Sequence, residues 1–86
     1  MSSDAYKDYV RDLVYLLRER GAEARRRSAA VGGMAEFEQG RAMAYVEVLS
    51  LMQNQADAFQ VPREELLLAG FDPEVDPIDP PPPTPE

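Results

Sequence analysis

Residues 31–59 read VGGMAEFEQGRAMAYVEVLSLMQNQADAF, and the division of this stretch decides the fold. Gly32-Gly33 supplies the left-handed geometry that ends a helix and the freedom for a chain reversal after it. From Ala35 to Phe59 apolar residues recur at three- and four-residue steps, the spacing of one face of an α-helix. That face is Phe37, Gly40, Ala44, Val48, Leu51, Met52 and Phe59, interrupted by Gln55. A second set, Tyr45, Leu49, Met52 and Ala56, is turned roughly 80–100° from the first. One neighbouring helix cannot cover both.

Before the glycines, Tyr6, Tyr9, Val10, Leu13, Leu16, Leu17 and Ala24 form a comparable stripe. Ser2, Ser3 and Asp4 suit a helix start. The reading is a helix over 4–30, a turn over 31–34 and a helix over 35–59. Pro62 pushes residue 61 out of helical geometry and suits the first turn of a short third helix over 62–69, with Gly70 after it. Residues 1–71 thus form one helical-hairpin domain. A short connection makes the two long helices antiparallel neighbours. Residue i then faces roughly residue 65 − i, which sets Gly21 against Ala44 and Tyr6 against Phe59. Gly21, Ala24 and Ser28 opposite Gly40 and Ala44 would let the backbones approach closely.

Composition changes after Phe71. Seven of the eight prolines and five acids with no base lie in residues 72–86, leaving nine basic and eleven acidic residues in the body. Such a segment has little to bury, so it reads as a disordered acidic Pro-rich tail.

The chain has 86 residues, with neither cysteine nor histidine. A core this small needs a staple; disulfides are excluded, which points to oligomerisation. Two hairpins packing by twofold symmetry into a four-helix bundle would cover the surplus seam of the second helix, making Tyr45, Leu49, Met52 and Ala56 self-association residues. In the alternative, the segment Leu66–Leu68 folds back over that seam within one chain.

Ser–His and Cys–His catalysis are excluded by composition, and two helices make no cleft for paired carboxylates. No enzymatic activity, cofactor or metal is expected; Glu47, at the edge of the second helix's stripe, has no His beside it to complete a bundle metal site. The chain shows neither a secretory leader nor an apolar run of membrane-spanning length, so a cytoplasmic location is expected. The favoured reading is a small interaction or regulatory protein, homodimeric, with a protein partner that the residues do not identify. The alternative is an RNA- or DNA-binding regulator. Arg18, Arg20, Arg25, Arg26 and Arg27, less Glu19 and Glu23, leave +3 in ten residues near the turn, and Arg41 falls at the same end. The polyanion contacts on that reading are Arg18, Arg25, Arg26, Arg27 and Arg41, with Tyr15 placed to stack on a base. The domain as a whole is not basic, which weighs against it.

Overall fold

The computed structural model describes residues 3–30 and 35–82. Among them are two long helices, α1 (Ser3–Ser28) and α2 (Ala35–Ala58), one 3-10 turn, Arg63–Leu66, and no strand. The protein is all-α, and its long helices form a hairpin. The expected Gly32-Gly33 turn and the Ser2 cap lie outside the described residues.

Local chemistry sets each end. Asp4 sits in the first turn of α1 and Arg25, Arg26 and Arg27 in its last, each sign matched to the helix dipole. Ser28 turns its hydroxyl back onto the Arg25 carbonyl at 2.7 Å, which competes with helix propagation as α1 ends. At the far end of α2, Gln60 takes a left-handed conformation (φ 59°). Its N–H meets the Asp57 carbonyl at 3.1 Å, and the Val61 N–H reaches back to Ala56 at 2.8 Å. This paired closure is a Schellman cap, with Val61 as its apolar residue and Pro62 as the stop behind it.

The expected short helix over 62–69 is instead a single 3-10 turn. Leu67 is left-handed (φ 60°) and closes it, with the Leu68 N–H bonded to the Arg63 carbonyl at 2.9 Å. Stopping there frees the Leu67 and Leu68 carbonyls for side chains of the long helices, as described below.

The C-terminal segment departs most from expectation. Residues 72–82 lie against the helices, and 83–86 fall outside the described residues. Asp72 caps a turn: its carboxylate accepts the Glu74 N–H at 3.0 Å, and its carbonyl accepts Val75 and Asp76. Pro73 and Ile78 are fully buried. One isoleucine placed in a gap between helices gives this proline-rich stretch the burial its composition seemed to deny it. We call residues 67–82 the strap.

Both long helices are rolled relative to the sequence expectation. The core holds Val14, Ala22, Leu49, Ala56, Leu68 and Ile78, with Val10, Leu17, Met52 and Phe71 packed against it. Tyr6, Tyr9, Phe37, Val48, Leu51 and Phe59, expected between the helices, are exposed. The reason is the strap. It fills the side on which α2 carries Leu49 and Ala56, so the helices turn those residues inward and leave the bulkier stripe outside. Gly21 lies at this junction: a β-carbon there would stand 2.9 Å from Tyr45 Cβ and 2.7 Å from Ile78 Cδ1. Close packing at Gly21 is therefore real. At Gly40 none is seen, for nothing among the described residues approaches within 4 Å.

Candidate functional site

Two surfaces of the hairpin compete for attention, one covered by the strap and one bare. On the covered side α1 presents Arg18 and Arg25 one face apart by seven residues, about two turns, so both point at the strap. Arg18 donates from Nε to the Ile78 carbonyl at 3.0 Å, from Nη1 to Leu67 at 2.7 Å and from Nη2 to Asp79 at 2.8 Å. Its guanidinium also lies over the Phe71 ring, 4.0 Å from the centroid. Burial lowers the Arg18 pKa from its ordinary value, opposed by the Asp79 charge. An arginine remains charged even so. Arg25 donates to the Asp76 carbonyl at 2.7 Å and to that of Pro73. From α2, the buried Gln53 donates to the Leu68 and Phe71 carbonyls, both at 2.9 Å. The strap is thus held by its main chain, with Ile78 as the apolar peg.

The residues expected to contact a polyanion are dispersed among these duties. Arg18 and Arg25 grip the strap. Arg26 pairs with Asp79 at 2.9 Å, and Arg27 with Glu23 at 2.6 Å. Arg41 forks onto Glu38, at 3.1 and 2.9 Å, and approaches the Tyr45 ring. The Glu38 hydrogen bond, after that of Tyr45, raises the Arg41 pKa. Tyr15 is half-buried. The five arginines do not converge on one open patch.

The residues expected to meet a second copy are also placed by the strap. Leu49 is 0% exposed, Ala56 is buried, and Tyr45 and Met52 are half-buried. Their cover comes from this same chain, through Leu68, Ile78 and the turn after Pro62, so a dimer through that seam would first have to displace the strap. Glu47 is exposed and lines an open cleft of about 540 Å3 with Arg25, Gln39, Ser50 and Glu74. No cluster of three or more His, Cys, Asp or Glu suited to a metal occurs among the described residues. No described helix is long and apolar enough to cross a membrane.

The bare side carries the strongest signal. On α1, Tyr6 (62% exposed), Tyr9 (67%) and Leu13 share a stripe. On α2, Phe37, Val48 and Leu51 (61%) share another, continued by Phe59 (75%) just beyond the helix. On a wheel of about 100° per residue, each stripe lies on the flank of its helix away from the strap-covered residues. Both flanks therefore belong to one face. At its open end lies an apolar groove of about 350 Å3 between Leu51, Met52, Phe59, Val61 and Leu66. The sequence revealed the apolar character of these residues and mistook which side of the helices they occupy. It gave two hints of the strap. One is the alternative that Leu66–Leu68 folds back over the second seam, where Leu68 packs in one cluster with Leu49 and Ala56. The other is the one isoleucine, Ile78, among prolines and acids.

Comparison with known proteins finds no matching family model, no similar curated protein and no similar solved structure. What the fold and surface define is a class: a helical hairpin, strapped on one face and apolar on the other.

Proposed function

We propose that this is a small non-enzymatic interaction protein that works as a homodimer, two hairpins meeting through their bare apolar faces to make a four-helix bundle. The observation that carries this reading is the pair of exposed stripes, Tyr6–Tyr9–Leu13 and Phe37–Val48–Leu51–Phe59, on one side of one molecule. Contiguous apolar patches beyond a few hundred Å2 are unusual on monomers and mark contact surfaces. A face two helices wide and about 36 Å long offers roughly 700 Å2, close to the ~800 Å2 per partner of a stable interface. A twofold dimer would also supply the burial that a chain of this size lacks. The regulatory role follows from the product: a rigid bundle that displays two copies of the strap and its acidic end to a protein partner.

Nucleic-acid binding through Arg18, Arg25, Arg26, Arg27 and Arg41 has less support, because each already has a partner within the chain.

Mass by light scattering tests the dimer. Leu51→Glu places a charge in the middle of the face and should halve the mass. Val75→Glu, at an exposed apolar residue on the strap, should leave it unchanged. Equal masses for both variants and wild type would remove the face from the account.

A further inference from the structure

We infer that the open cleft between α2 and the strap turn is a docking site for a protein partner, and that it takes a basic segment, lysine or arginine beside a small aliphatic residue. This rests on the reading of the chain as an interaction protein and names the partner's chemistry. It does not depend on the dimer.

Three pieces of chain build the cleft. Gln39, Ala42, Met43, Val46, Glu47 and Ser50 recur at three- and four-residue steps, so they share one flank of α2. The last turns of α1 contribute Arg25 and Ser28, and the strap turn contributes Glu74. The volume of about 540 Å3 falls within the ~300–1,000 Å3 of sites that hold ligands. On a wheel of about 100° per residue, this flank is centred roughly 150° from Phe37, Val48, Leu51 and Phe59. The cleft therefore stays open when two bare faces meet.

Floor and rim differ in character. Ala42 is buried and Val46 half-buried, while Met43 stands 68% exposed. The carboxylates of Glu47 and Glu74 are exposed, one on α2 and one on the strap. Among the described residues every ion pair runs between other side chains. Glu74 uses only its N–H, toward Asp72. The turn that carries it is held by that bond and by the Arg25 grip on Pro73 and Asp76, so the carboxylate is presented from a fixed loop.

Charge selects the occupant. Arg25 is the one base that lines the cleft, and its guanidinium is spent on the strap carbonyls. Arg41, the one base of α2, lies on the far flank and pairs with Glu38. The strap has no base, and Asp72 and Asp76 flank Glu74 on its turn. An acidic rim over an apolar floor admits cations and turns away acidic partners. A lysine suits both parts, its stem lying on apolar surface and its head reaching a carboxylate.

The test uses the full chain and, as probe, an acetylated peptide of alternating lysine and leucine, followed by amide chemical shifts. Shifts should concentrate at Met43, Val46, Glu47 and Glu74, and affinity should fall with added salt. The Glu47→Gln, Glu74→Gln double variant, at two exposed positions, should bind roughly tenfold more weakly. Met43→Lys should also weaken binding. Leu51→Glu, on the opposite flank, should leave it unchanged. Full binding by the double variant overturns the site, as do shifts confined to Tyr6, Leu51 and Phe59. Equal binding of the same peptide with glutamate for lysine, or no binding at all, overturns it too. A monomeric wild-type chain that takes the peptide at Met43 would overturn the dimer and leave the site standing.

Discussion

Gly21 and Ile78 meet so closely that a β-carbon on the first would lie 2.7 Å from Cδ1 of the second. A residue in the middle of α1 and one in the proline-rich strap have thus been chosen for each other. The glycine weakens its helix by about 1 kcal/mol, and the contact it permits seats the peg of the strap.

Gly21→Ala should therefore destabilise the fold although it improves helix propensity. The propensity gain is about 1 kcal/mol and overpacking costs about 1–3, and the sign turns on Tyr45, whose Cβ would stand 2.9 Å away and cannot swing aside as Ile78 Cδ1 can. In urea denaturation we expect a net loss. The loss should shrink when Ile78→Ala is added, although Tyr45 keeps part of the conflict. A stabilised Gly21→Ala protein would mean that α1 and α2 do not pack this closely at Gly21 and Tyr45.

Ile78→Ala should cost about 2–5 kcal/mol, the range for truncating a fully buried isoleucine. A residue in a disordered tail would cost nothing. Thermal melts of the variant distinguish the two.

Arg18→Lys should fail to substitute for arginine. Three guanidinium nitrogens meet three carbonyls while the plane stacks on Phe71, and an ammonium cannot reproduce that fork. We expect losses of about 3 kcal/mol, since buried acceptors left unsatisfied cost about 1–3 kcal/mol each and water recovers some. Amide exchange should rise in residues 76–79 ahead of the rest of the chain.

Asp57 gives a pH dependence. Its carboxylate accepts two bonds from Arg63, at 3.0 and 2.7 Å, and these hydrogen bonds hold its pKa below the usual carboxylate value. A lowered carboxylate pKa contributes stability that is present above the ordinary value of ~3.9 and lost as pH falls through the folded one. Asp57→Asn should therefore melt lower than wild type at neutral pH. The two curves should converge in strong acid.

The helices were legible in the sequence because periodicity, the glycine pair and Pro62 are local signals. Even the close approach at Gly21 could be anticipated from a glycine within an unbroken pattern. Which face each helix turns inward was not legible, because α2 carries two apolar seams and the choice depends on a segment some twenty residues further on. That segment was misjudged for a physical reason. Its few apolar residues are too sparse to suggest a core, and its attachment runs through main-chain carbonyls that no side-chain pattern reports. In the sequence Arg18 reads as a polyanion contact and Gln53 carries no signal at all, yet both bind those carbonyls.

Sedimentation equilibrium on the unmodified chain, from roughly micromolar to several hundred micromolar, tests the central claim most directly. The account predicts a species of twice 9.6 kDa that dissociates only on dilution. A mass of 9.6 kDa at every concentration, with Tyr6, Leu51 and Phe59 left in water, would contradict it.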